Sequence, residues 1–234
     1  MTAAHSIHQL TELHGKTCVF RDRADAGTRL ADMLHEHQDS NMLLLAIPAG
    51  GVPVAAEIAA RWRQPLDVAV VSKILLPWTT EAGFGAVAFD GSLWVNEDHV
   101  LHYGLTRAQI EQCTQKTREK VARRVELFRG RRTFPRLTGH TVVIVDDGLA
   151  AGSTMRVAIQ ALRFGGAKRI IVAVPTGHDR SVHEIAALAT QVYCANVRAG
   201  LSFAVADAYQ HWTDTSEEEV LAILDRFRPE SDPG

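Results

Sequence analysis

The sequence predicts an α/β fold with a central, mostly parallel sheet flanked by helices. Apolar runs with strand composition recur at 42–47, 66–72, 142–145, 169–175 and 191–195. They are continuous rather than alternating, as in strands buried on both faces. Between them lie stretches whose apolar residues recur at helical spacing, and strands joined through helices imply right-handed crossovers in a parallel sheet.

Composition narrows the class. A chain of 234 residues, 46% hydrophobic and 22% charged, can bury a full core as an ordinary globular protein, and is expected to form a single domain with a small appendage. Its formal net charge of −2 gives no global argument for nucleic acid or an acidic membrane as partner. Cys18, Cys113 and Cys194 are widely spaced and lack metal-ligand spacing, which suggests a reducing compartment. Residues 1–16 hold three histidines and no apolar segment, so they form neither a signal peptide nor a membrane span. Cytoplasmic is the resulting expectation.

The elements follow in order. Ala26, Leu30, Met33 and Leu34 make a helical stripe over 22–38, with Arg23 and Asp25 expected on its solvated first turn. The run 42–47 breaks at Pro48-Ala49-Gly50-Gly51 before an alanine-rich helix over 54–62. A third buried strand at 66–72 should end at Lys73. Residues 75–85, with Pro77, Thr79, Thr80, Glu81, Gly83 and Gly85, have the composition of a mobile loop. Runs at 85–89 and 93–96 around Asp90-Gly91 form a hairpin.

A long helix follows at 106–128, carrying Ile110, Cys113, Val121, Val125 and Phe128 on one stripe. Its arginines and lysines, continuing to Arg136, are expected to form a solvated, salt-bridged face, with an RNA-contacting patch as the minority reading. Strands at 169–175 and 191–195 bracket a helix at 181–189. Phe203, Tyr209 and Trp212 mark an aromatic tail before a terminal helix opened by the capping pattern Ser216-x-x-Glu219.

The chemistry concentrates at 141–155. Val142 to Val145 runs straight into Asp146 and Asp147, then Gly148, Leu149, Ala150, Ala151 and Gly152, with Ser153 or Thr154 placed to cap the next helix. Small residues at a helix N-terminus expose amides to an anion. Carboxylates beside such a nest would repel a simple phosphate but can accept from the hydroxyls of a sugar phosphate. A plain strand, Asp-Gly turn and capped helix would account for the glycine and one Asp without a ligand.

This stretch resembles the phosphoribosyl diphosphate (PRPP) binding motif of type I phosphoribosyltransferases: hydrophobic strand, acidic pair, small residues, then Thr-Gly-x-Thr. Ala151 stands where that family usually has a hydroxyl residue. The loop 47–53 resembles the family's diphosphate-binding loop, nearest to a Pro-Arg-Gly-Gly-Val-Pro form found in stand-alone members, with Ala49 in place of the arginine. Similarity to the family spans roughly residues 20–212.

The resemblance implies a type I phosphoribosyltransferase fold with a core at about 20–196. A small hood would come from the N-terminal segment and about 197–214, with a terminal helix at 215–228. It implies transfer of ribose 5-phosphate from PRPP to a nitrogen acceptor, a nucleobase for choice, with release of diphosphate. Asp146 and Asp147 would grip the ribose hydroxyls, and Gly148 through Thr154 the 5′-phosphate side. Ala49, Gly50, Gly51 and Lys73 would face the diphosphate. Lys73 and Glu81, the latter in the loop that closes over the reacting centre, would serve catalysis. Magnesium would ride on substrate oxygens without direct protein ligands. Ala150 occupies the position of the acid that assists 6-oxopurine acceptors, which disfavours that class.

PRPP and a small-molecule acceptor are the expected partners, with no membrane or nucleic acid, and a homodimer left open. Ala49 and Ala151 depart from the family pattern, so activity is a separate question. Two alternatives stand beside the enzyme: a non-catalytic PRPP-sensing regulator that binds RNA or DNA, and a phosphosugar-binding domain acting on something else.

Overall fold

The computed structural model describes residues 6–38, 41–80, 82–200 and 202–227. Its centre is a six-stranded sheet, every pair parallel, in the order β1-β9-β8-β7-β2-β3. These strands are β1 (Ser6–His8), β2 (Met42–Ala46), β3 (Leu66–Val68), β7 (Thr141–Val145), β8 (Arg169–His178) and β9 (Gln191–Arg198). The smaller antiparallel sheet holds β4 (Val71–Leu75), β5 (Gly83–Ala88) and β6 (Leu93–Val95).

Helices cover both faces of the large sheet. On one side α1 (Arg23–Met33) and α2 (Gly51–Trp62) share a core with Val143, Val145, Ile171 and Tyr193. On the other, α5 (Ser153–Phe164) and α6 (Asp179–Ala186) pack on Val142, Ile144, Val172 and Val192. Alternate residues of β7 and β8 therefore feed opposite cores, which is why their sequence is apolar throughout.

The register sets the site. Ala46 of β2 pairs with Val145 of β7, and the Ile47 amide donates to the Val145 carbonyl at 2.8 Å. Both strands thus end at one level, and the loops that follow them lie side by side at the carboxyl edge of the sheet, where parallel sheets bind ligands.

The helix expected at 106–128 is α4 (Arg107–Arg129), opened by a reciprocal capping box between Thr106 and Gln109. The terminal helix α7 (Glu217–Arg226) starts with the Ser216–Glu219 box, as the sequence predicts, although the last residues of the expected span lie outside the described ones. β1 and α3 (Glu97–His102) are additions that the sequence pattern did not reveal.

One strand expectation is corrected. The run 66–72 is two strands: β3 closes the large sheet and β4 leaves it to pair antiparallel with β5. Residues 68–71 are buried and apolar on both sides of the break, so periodicity could not expose it. Lys73 therefore sits mid-strand in the small sheet rather than at the end of a parallel strand.

Candidate active site

Asp146 and Asp147 stand side by side at the end of β7, both half-buried. The Asp147 amide donates to Asp146 Oδ1 at 2.9 Å, and the Tyr209 hydroxyl donates to the Asp147 carbonyl at 2.6 Å. Burial and the neighbouring Asp147 charge hold the Asp146 carboxyl well above the usual carboxylate range. Burial also raises Asp147, against the pull of Arg23.

Arg23 is the unexpected member. Its Nε and one terminal nitrogen donate to Asp147 Oδ2 at 3.0 and 2.9 Å, and its other terminal nitrogen donates to the Thr213 carbonyl at 2.6 Å. The guanidinium lies 3.8 Å from the Trp212 ring centroid. With its side chain only 11% exposed, Arg23 is no solvated first-turn residue, and that expectation is corrected. The first turn of α1 points at the sheet edge because its cap, Asp22, accepts from the Asp25 amide and fixes the entry of the helix.

The loop after β2 meets the acidic pair directly. A Cβ on Gly50 would lie 1.9 Å from Asp147 Oδ2, and one on Gly51 would lie 2.6 Å from the Val145 carbonyl oxygen. Only glycine permits this contact. The peptide between Pro48 and Ala49 is cis. Behind the loop, Arg124 of α4 reaches the Pro48 carbonyl at 3.4 Å and Glu217 of α7 at 3.3 Å.

The phosphate-loop candidate is held from below. Leu149 is buried and bridges to Gly177: its amide donates to the Thr176 carbonyl at 2.9 Å, and its carbonyl accepts from the His178 amide at 2.8 Å. The Ser181 hydroxyl donates to the Ala150 carbonyl at 2.5 Å. Gly148 packs under Val205 of the tail. The expected cap is corrected: Gly152 is the N-cap of α5, at φ +74° and with no side-chain cap bond, while Ser153 and Thr154 are the first helical residues. A left-handed cap suits glycine, and it leaves both hydroxyls half-exposed at the helix start.

Lys73 lines a cavity of about 220 Å³ together with Ala151 and Ser153. The structure thus sets it beside the start of α5. Glu81 lies outside the described residues. The basic tract is not a uniformly solvated face: Arg124 and Arg129 are buried, Arg129 pairs with Asp67 at 2.9 Å, and Arg123 makes a two-pronged contact with Glu217. Those three arginines are committed within the fold.

Comparison with known proteins accords with this geometry. The family model described as phosphoribosyl transferase domain matches residues 99–208. Two proteins from separate strains of Mycobacterium tuberculosis, each carrying the name "Putative phosphoribosyl transferase", are 43% identical over 209 residues, 89% of this chain and 47% of theirs. The crystal structure of TT1426 from Thermus thermophilus superposes with a TM-score of 0.72 at 32% identity, covering 90% of this chain and 99% of that one.

The chain belongs to the phosphoribosyltransferase family. It spans about half the length of the curated relatives it matches. Within this phosphoribosyltransferase fold, the sheet edge brings together the acidic pair, the loop 47–51 and the start of α5. Sequence reading missed Arg23, whose one available signal was its place one residue after a capping aspartate. No helix among the described residues is long and apolar enough to cross a membrane.

Proposed function

We propose that the protein transfers ribose 5-phosphate from PRPP to a nitrogen acceptor, with release of diphosphate. The observation that carries this reading is the contact between Gly50 and Asp147, which sets a glycine-rich loop and a carboxylate pair against each other at one sheet edge. A sugar whose hydroxyls donate to Asp146 and Asp147 then has its 5′-phosphate within reach of the amides and hydroxyls at the start of α5. Its leaving group faces Ala49, Gly50 and Gly51.

Loss of diphosphate leaves cationic character at the anomeric carbon, and the nearby carboxylates stabilise it electrostatically. Lys73 and Glu81 belong to the same reading as groups that meet the substrate phosphates and the closing loop. Magnesium enters as part of the substrate, chelated by diphosphate oxygens, because PRPP carries more negative charge than a single nearby lysine offsets. A nucleobase is the acceptor class favoured, and Trp212, braced by Arg23 and Tyr209, offers an aromatic face on the tail side of the acidic pair.

The test is calorimetry of PRPP with magnesium on the wild type and on Asp146→Asn with Asp147→Asn. The double variant should stay folded and lose at least about a hundredfold in affinity, as when two charge-assisted hydrogen bonds are weakened. Unchanged affinity would remove the assignment. Diphosphate release that requires an added base would separate the enzyme from a passive PRPP binder.

A further inference from the structure

Between the acidic pair and α5, Ala150 and Ala151 bring no polar side chain. Whatever they offer an anion is main chain, so what matters is which end of each peptide faces the ligand. Two hydrogen bonds decide it. The Leu149 carbonyl accepts from the His178 amide at 2.8 Å, and the Ala150 carbonyl accepts from the Ser181 hydroxyl at 2.5 Å. The two peptides are trans, so each carbonyl points opposite to the N–H of the residue that follows it. With their oxygens drawn toward the corner where β8 ends and α6 begins, these peptides turn the amides of Ala150 and Ala151 away from it. Among the described residues neither amide has a hydrogen-bond partner.

The two bonds differ in kind. The one at Leu149 is main chain to main chain, part of the parallel bridge to Gly177, and is indifferent to side chains. The one at Ala150 depends on a single hydroxyl. Ser181 is buried in the first turn of α6, and a Cβ on Gly152 would lie 3.8 Å from its Cβ, so the helix backs the loop directly. Without the hydroxyl, the Ala150 carbonyl loses its partner and the 150–151 peptide is free to rotate as a unit. Rotation replaces an outward N–H by a carbonyl oxygen. The first attracts a phosphate and the second repels it, so the orientation of this one peptide sets the sign of its contribution.

We propose that Ser181 is a positioning residue for the sugar's 5′-phosphate: by holding the Ala150 carbonyl it presents the Ala151 amide to that group. Ser181 itself touches no ligand. This rests on the PRPP reading and adds to it that the loop's grip on a phosphomonoester is set from α6, by a residue 31 positions after Ala150.

The test is calorimetry on the full chain with two probes, ribose 5-phosphate and inorganic diphosphate with magnesium. Ser181→Ala removes one oxygen and should lose about five- to tenfold in ribose 5-phosphate affinity, the scale of one hydrogen bond, while binding diphosphate within about twofold of wild type. Ser181→Thr keeps the hydroxyl and should restore most of the ribose 5-phosphate affinity. A merely structural role would weaken both probes alike, and that result would overturn the assignment. Unchanged ribose 5-phosphate binding in Ser181→Ala, or a threonine variant as weak as the alanine one, would overturn it too. A wild type that does not bind ribose 5-phosphate would overturn the PRPP reading and this assignment with it.

Discussion

Arg23 and Asp147, 124 residues apart in sequence, form a forked ion pair at the edge of the central sheet, with the guanidinium carbon over the Trp212 ring at 3.8 Å from its centroid. The pair ties the first turn of α1 and the tail segment at Thr213 to the loop that follows β7. Arg23 thus orients the carboxylate proposed to hold a ribose hydroxyl and opposes the effect of burial on it.

Arg23→Gln should therefore cost about 3 kcal/mol of stability, at the lower end of what removing one partner of a buried pair costs, since both side chains keep some solvent contact. Arg23→Lys keeps the charge but loses the fork and the guanidinium's contact over Trp212, and should fall between wild type and the glutamine variant. Urea denaturation checks both, and a loss under about 0.5 kcal/mol for the glutamine variant would show the pair to be incidental.

Asp146 should make the protein less stable as pH rises. Its folded value is raised by burial and by Asp147, so the penalty is absent below an ordinary aspartate value of about 3.9 and grows as pH climbs toward the folded value. Asp146→Asn removes that penalty. The variant should be more stable than wild type at pH 7, and the two should converge near pH 3, as read from melting temperatures across the range.

Gly50→Ala has no room for its methyl group. The new Cβ would overlap Asp147 Oδ2, so either the loop or the carboxylate must move. An overpacking cost of about 1–3 kcal/mol is expected, together with at least a tenfold loss of PRPP affinity. Gly139→Ala is a useful contrast: its Cβ would meet nothing within 4 Å, although φ +89° still strains the backbone, so it should affect stability and leave PRPP binding alone.

At the opposite end of the sheet, His37 Nε2 lies 2.8 Å from the Tyr193 hydroxyl, which donates to Glu36 at 2.6 Å, while His8 stacks on the same tyrosine at 4.2 Å. Burial lowers the affinity of His37 for a proton, with Glu36 opposing. Stability from this group is present above the unfolded histidine value of about 6.5 and is lost as pH falls through the folded value. His37→Gln should flatten the decline in melting temperature between pH 7 and pH 5, and an unchanged slope would assign the decline to other groups.

Much of this molecule could be read locally. β7, β8 and β9 announce themselves as apolar runs because both their faces are buried, and the boxes at Thr106 and Ser216 are legible because their partners lie three residues away. The acidic pair and small-residue loop were legible for the same reason: strand, carboxylates and helix start are contiguous. The break between β3 and β4 was not, since an apolar run looks alike whether it stays in one sheet or changes to another.

The sequence by itself determined the alternation of strands and helices, the sheet edge that would carry the chemistry, and the residue types gathered there. Tertiary structure alone decided that Arg23 pairs with Asp147, that Arg124 and Arg129 turn inward from a basic tract, and that Lys73 and His99 line one cavity with Ala151. Helical caps and strand composition are set by neighbours a few residues away, whereas a charge finds its partner only when the folded chain brings distant segments into hydrogen-bonding range.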